Sequence, residues 1–233
     1  MIPLHDDNPT KLTPYFTVGF IVASSLAFLW QLSASPSGQQ AVAYGLGVVP
    51  AVLFGYRELP PEISVVPAPL TIVSSMFLHG GWMHLIGNML YLWIFGNNVE
   101  DSMGHVRFVV FYLACGVAAV FAHALPNPDS TIPMIGASGA ISGILGAYLL
   151  LYPHARVLVA IPVFVILYTV RLPAMGVLGF WFALQLVSSL FSDPTQPGVA
   201  FGAHIGGFLC GLALIPFFKS RNVRLLAPPR QRG

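Results

Sequence analysis

The sequence predicts an all-α polytopic membrane protein: six transmembrane helices with a long membrane-embedded first loop. Three observations carry that prediction. Only 8% of the 233 residues are Asp, Glu, Lys or Arg, against 56% hydrophobic residues and a mean hydropathy of +0.77; an ordinary soluble domain carries about 25% charged residues. Apolar runs long enough to cross a hydrocarbon core, which takes roughly 20 residues, recur along the chain. Counted as six crossings, those runs gather almost all basic residues on one side.

The predicted spans are 15–34, 82–99, 106–125, 135–152, 173–192 and 198–218. Residues 1–14 are polar and form an N-terminal tail. No short apolar region ending in a small-residue cleavage site stands out there, so the first apolar segment is read as retained. Residues 35–81 separate the first two spans and contain the apolar stretch Ala41 to Tyr56. This connection is too long for a simple turn and predicts short helices in or dipping into the outer interface. The second span starts before its apolar stretch, at His79-Gly-Gly-Trp-Met-His84. Later connections are short and marked by Pro, Asn and Asp, as in Pro126-Asn-Pro-Asp129 and Asp193-Pro-Thr-Gln-Pro197.

Val157 to Val170 is nearly all apolar but holds Pro162 and is too short to span, so it is expected at the interface. With six spans, Lys11, Arg107, Arg156, Arg171, Lys219, Arg221, Arg224, Arg230 and Arg232 share one side, opposite Arg57 alone. That is the positive-inside pattern, with both termini cytoplasmic. A seventh crossing would move the basic tail, residues 219–233, outside. The core is therefore 15–218. Cys115 and Cys210 lie in apolar stretches and imply no disulfide framework.

Polar groups inside the spans carry the functional reading, since such groups are expensive in a bilayer. Ser138 lies in Met134-Ile-Gly-Ala-Ser-Gly-Ala-Ile-Ser-Gly-Ile-Leu-Gly146, and His204 in Phe201-Gly-Ala-His-Ile-Gly-Gly-Phe-Leu-Cys-Gly211. In the six-span topology both lie within about two turns of the outer face. Gly139, Gly143 and Ala147 on one span, with Ala203, Gly207 and Gly211 on the other, repeat at four-residue steps that allow close helix approach. Contact along those ladders would bring hydroxyl and imidazole to hydrogen-bond distance. A lone Ser in such a helix usually packs or bonds back to its own backbone; the His opposite argues for a nucleophile and its base.

His84 and Asn88 stand four residues apart on one helical face. As side-chain donors near the depth of Ser138 they suit an oxyanion, with the Ser138 backbone N–H as a third donor. The plainer reading is a polar pair holding helices together. A metal held by His79, His84 and His204 is weaker, because no Cys, Asp or Glu lies at matching depth. No acidic residue is placed to orient His204, so a two-residue dyad is expected instead of a carboxylate-backed triad. No nucleotide, metal, cofactor or nucleic-acid motif is present.

Taken together, His79-Gly-Gly-Trp-Met-His-Leu-Ile-Gly-Asn88, Gly136-Ala-Ser-Gly139 and Ala203-His-Ile-Gly-Gly207 followed by Gly211 resemble the three signatures of rhomboid intramembrane serine proteases. Their order matches too, and the resemblance covers about 40 to 218. Glu100, Gly104, Phe108 and Tyr112 are similar to the family's junction between spans 2 and 3.

The resemblance implies Ser138 as nucleophile, His204 as general base and then acid, and Asn88 and His84 as oxyanion-hole donors. It implies that His79, Gly136, Gly139 and Gly207 shape the site, and that Glu100 and Arg107 are structural. Where some members place a Tyr against the catalytic His, four residues after the nucleophile, this chain has Ser142. The implied activity is cleavage of transmembrane helices of other membrane proteins near the extracytoplasmic interface, without a cofactor. The implied partners are those substrates and the lipid bilayer.

A peptide bond in a transmembrane helix is shielded by its own hydrogen bonds, so a substrate must unwind locally. Access is expected to need movement of the fifth span or of the loop after it. The alternative is a catalytically inactive relative that binds transmembrane helices. A transporter is disfavoured because the polar residues stop halfway across. The compact six-span core and low cysteine count suggest a prokaryotic inner membrane, with no transit-like leader visible.

Overall fold

The computed structural model describes residues 1–164, 166–193 and 196–227. Pro194 and Thr195 of the predicted connection, and Arg230 and Arg232 of the basic tail, lie outside the described residues. In chain order the elements are β1 (Ile2–Asp6), α1 (Tyr15–Ser33), α2 (Pro36–Leu46), α3 (Pro50–Leu53), α4 (Thr71–Ser74), α5 (Trp82–Tyr91), α6 (Asn97–Met103), α7 (His105–Ala124), α8 (Ser138–Leu151), β2 (Arg156–Val163), β3 (Ile166–Pro173), α9 (Ala174–Phe191) and α10 (Phe201–Phe218). Short 3₁₀ turns flank α4, and a π turn, Leu92–Gly96, joins α5 to α6.

The fold is mostly helical, and four helices among the described residues are long and apolar enough to cross a membrane: α1, α7, α9 and α10. Two predicted spans take another form. Residues 82–103 are helical throughout but interrupted by the π turn. There Gly96 lies against Thr17, so α1 can approach closely. The other, α8, has only 14 residues. It is the central helix: every residue from Gly139 to Tyr148 is buried. A helix that is apolar on all sides belongs inside a bundle, and α8 is enclosed by α5, α7, α9 and α10.

Close packing around α8 comes from missing side chains. A Cβ on Gly207 would overlap the carbonyl of Gly139, one on Gly211 the carbonyl of Gly143, and one on Gly146 the carbonyl of Phe208. On the adjoining face of α10, a Cβ on Gly206 would overlap Ala122 of α7. The predicted ladders are therefore real backbone contacts, with Gly146 taking the place expected of Ala147.

The first connection folds as expected into short helices, α2 to α4. The all-α expectation fails elsewhere. Residues 156–173 form a hairpin, and β1 from the presumed N-terminal tail pairs antiparallel with β2 to give the order β1-β2-β3. The physical reason is a β-branched alternation: Val157, Val159, Ile161 and Val163 point one way, and such residues favour a pleated surface. Asp6 locks β1 to the bundle. Its Oδ2 accepts from Asn98 Nδ2 at 2.9 Å and from the Tyr148 hydroxyl at 2.6 Å.

Glu100, fully buried, anchors the same end of the bundle. Its carboxylate accepts from Phe16 N (3.1 Å), Thr17 N (2.8 Å) and Thr17 Oγ1 (2.7 Å), and meets His105 Nδ1 at 2.7 Å. The donors are the open first turn of α1, where a carboxylate is favoured by unsatisfied N–H groups and the helix dipole. Arg107 is exposed.

Candidate functional site

Ser138 is the first residue of α8, and the chain reaches it through a tightly held approach. Met134 bridges Val48, Ala51 N donates to Ser130 O (2.9 Å) and Gly136 N to Ser75 O (2.8 Å). The first connection thus sets where α8 begins. Gly136 has φ +128°, a region L side chains rarely adopt, and a Cβ there would lie 2.7 Å from His84 Nε2. Glycine is required on both grounds. Among the described residues no side chain caps the α8 N-terminus, which leaves first-turn N–H groups unsatisfied within the helix beside the Ser138 hydroxyl.

His204, on the first turn of α10, meets Ser138 directly: Nε2 lies 2.8 Å from Oγ. The Gly139–Gly207 contact lies one residue beyond Ser138 and three beyond His204, so backbone touch and side-chain contact occur together. Ser142 Oγ donates back to Ser138 O at 2.6 Å, within α8. The rings that pack on the His204 imidazole come from α9 and α10. Trp181 lies 5.9 Å from the imidazole centroid at 34°, and Phe201 stands edge-on at 6.3 Å.

Sequence reasoning missed Gln185. From α9 its Oε1 meets His204 Nδ1 at 2.8 Å, and its Nε2 donates to Trp181 O at 3.2 Å. The expected pair therefore has a third polar member. A signal existed: Gln185 is a lone amide in an apolar helix, a placement that demands a partner.

His84 and Asn88 face the same place. A Cβ on Gly136 would lie 3.8 Å from Asn88 Nδ2 as well as near His84 Nε2. Gly80 N donates to His84 Nδ1 at 3.3 Å, so Nδ1 is the acceptor and Nε2 carries the proton. Asn88 is buried, and its Nδ2 has no hydrogen-bond partner among the described residues. Two donors thus converge on Gly136, two residues before Ser138. Both line one cavity of about 1420 Å³ with Ser138, His204, Gly136 and Trp181.

His79 stands behind this group. Its ring packs edge-on against His84 at 5.1 Å, and Gln31 of α1 holds its backbone, accepting from His79 N at 3.1 Å. Burial, with His84 nearby, lowers the His79 pKa to about 4, which keeps it neutral. Among the described residues no three His, Cys, Asp or Glu side chains gather as a metal site.

Chemically, a neutral imidazole that accepts from a hydroxyl is arranged to take its proton. Donors beside that hydroxyl can stabilise an oxyanion formed on attack.

Residues 68–221 match the family model described as the Rhomboid domain. Similar proteins include Rhomboid protein 1, mitochondrial, of Saccharomyces cerevisiae, 27% identical over 73% of this chain and 51% of its own length. The mouse Presenilin-associated rhomboid-like protein, mitochondrial, is 28% identical over 85% of this chain and 47% of its own. RHOMBOID-like protein 6, mitochondrial, of Arabidopsis thaliana is 33% identical over 61% and 41%. The chain spans about half the length of the curated relatives it matches.

These relatives overturn the expected prokaryotic inner membrane, since proteins named mitochondrial in yeast, mouse and a plant are what this chain resembles. The compact core and low cysteine count were poor guides because neither reports which membrane a protein occupies.

Proposed function

The chain belongs to the rhomboid family, and on that premise we propose that it is an intramembrane serine endopeptidase. In this reading Ser138 is the nucleophile, and His204 takes its proton and later delivers it to the leaving amine. His84 Nε2–H, Asn88 Nδ2 and the Ser138 N–H receive the charge that develops on the carbonyl oxygen. Gly136, Gly139 and Gly207 bring these groups close, and His79 supports His84. The observation that carries the reading is the 2.8 Å contact between Ser138 Oγ and His204 Nε2 inside a cavity with oriented donors.

Substrates would be transmembrane helices of other membrane proteins, cut near one interface after local unwinding. Water would reach the site through the cavity, and displacement of α9 would admit the substrate. Six crossings are part of this proposal, with residues 82–103, interrupted by the π turn, and the 14-residue α8 as the two added to the four long helices, the first connection lying sideways in the leaflet and both tails on one side. The names of the relatives support a mitochondrial membrane as its place of work.

The test is labelling by a fluorophosphonate probe in detergent, comparing wild type with Ser138→Ala and His204→Ala. Labelling of wild type alone is expected. A folded wild type that stays unlabelled, under conditions that label a known intramembrane serine protease, would refute hydrolysis and favour a relative that only binds helices.

A further inference from the structure

We propose that Gln185 is the positioning residue for His204, fixing the imidazole in the tautomer that can accept the Ser138 proton. The proposal rests on the reading of Ser138 and His204 as nucleophile and base.

Three contacts in series assign every proton. The Trp181 carbonyl can only accept, so the Gln185 group 3.2 Å from it is the NH₂. That turns Oε1, an acceptor, toward His204 Nδ1 at 2.8 Å, so Nδ1 must carry hydrogen. Nε2 is left with its lone pair toward Ser138 Oγ at 2.8 Å, and the hydroxyl donates. A flipped amide would set the Gln185 oxygen against the Trp181 carbonyl oxygen, two acceptors face to face. It would also stabilise the other tautomer, whose Nε2–H could not receive a proton.

An amide suits this position. A carboxylate among apolar helices would pay heavily in desolvation, whereas an amide is satisfied by two hydrogen bonds. The arrangement does the orienting work of the acidic member of a triad without its charge, and so would stabilise an imidazolium less. Trp181 serves twice, through its carbonyl and through its ring against the imidazole.

The location has a consequence. Gln185 and Trp181 both lie on α9, and few α9 residues are buried: Ala174, Val177 and Leu178, all near its start. The half of α9 that carries Gln185 is the part least held by packing. If this part swings outward, His204 loses its Nδ1 partner, so the base is correctly oriented only while α9 is docked.

The test uses the full chain labelled with ¹⁵N-histidine in micelles, with the His204 signal identified by its loss in His204→Ala. Long-range ¹H–¹⁵N correlation should show the Nδ1–H form in wild type and equally in Ser138→Ala, with a shift toward Nε2–H or a mixture in Gln185→Leu. Fluorophosphonate labelling of Gln185→Leu should slow by roughly 10- to 100-fold, short of the ~10⁴ seen on neutralising a charged orienter. Gln185→Glu, entering this apolar site as the neutral acid, keeps an oxygen that accepts from Nδ1 and an O–H that can donate to the Trp181 carbonyl, and should restore much of that rate. A wild-type Nε2–H form, a tautomer unchanged in Gln185→Leu, or that variant labelling at the wild-type rate would overturn the proposal. Failure of wild type to label would instead remove the hydrolase reading, and the tautomer in Gln185→Leu would then decide alone whether Gln185 positions the ring.

Discussion

Gly207 of α10 lies on the carbonyl of Gly139 in α8 so closely that a methyl group could not be placed between them. Ser138 is the neighbour of one glycine, and His204 is one turn before the other. The distance between hydroxyl and imidazole is therefore set by backbone contact, which is stiffer than any arrangement of long side chains.

Gly207→Ala should accordingly damage both stability and site. Overpacking of this kind costs about 1–3 kcal/mol, and a displacement near 1 Å can slow chemistry by about 100-fold. Thermal unfolding in detergent should fall together with the labelling rate. Gly179→Ala, on α9 where a Cβ would meet nothing within 4 Å, is the control and should leave both unchanged.

Asn88 tests the oxyanion assignment. Its Nδ2 is buried without a partner among the described residues, so removing it orphans no other group. Asn88→Ala should keep the melting temperature within a few degrees while kcat on a model transmembrane substrate falls by about 100- to 1000-fold. A large loss of stability with unchanged turnover would mark Asn88 as helix-to-helix glue.

Ser138 and His204 were legible because each is costly alone in an apolar span and each supplies what the other lacks. The glycine ladders fixed how they meet, through a local pattern a single sequence displays. Gln185 was passed over because its partner lies on another helix and its own helix shows no motif. The sheet was missed for two reasons: Val157 to Val170 was judged by length instead of alternation, and β1 depends on pairing across some 150 residues. The 14-residue α8 was read long because an apolar run does not say where a buried helix starts; Gly136 and the bond to Ser75 decide that.

Asp6 gives a pH prediction. Burial raises its pKa from 3.8 to about 6, and the Tyr148 hydrogen bond opposes the rise without cancelling it. The folded state thus holds this proton more tightly than the unfolded chain. Its contribution to stability is fully present below about pH 4 and is lost as pH rises through 6, a change on the order of 2–3 kcal/mol. Asp6→Asn, which can still accept from Tyr148, should remove that component. The wild-type minus variant difference in unfolding free energy should therefore fall between pH 4 and 6 and stay level above 7. A difference that stayed flat across this range would refute the assignment.

Glu100 supplies the last prediction, because one buried carboxylate holds the start of α1 and the junction of α6 and α7. Glu100→Ala would leave Phe16 N, Thr17 N and Thr17 Oγ1 without their acceptor. Each buried donor orphaned costs about 1–3 kcal/mol, and α1 also loses the negative charge at its N-terminus. Glu100→Gln should fall between wild type and Ala, since its single oxygen can replace part of the set but its NH₂ would face the α1 N–H groups. Hydrogen exchange is the discriminating measurement. Loss of protection should be greatest at the first turn of α1 and spread to β1, while the amides of α8 around Gly143 stay protected. Uniform loss across the bundle would mean that Glu100 supports the whole fold instead of this one junction.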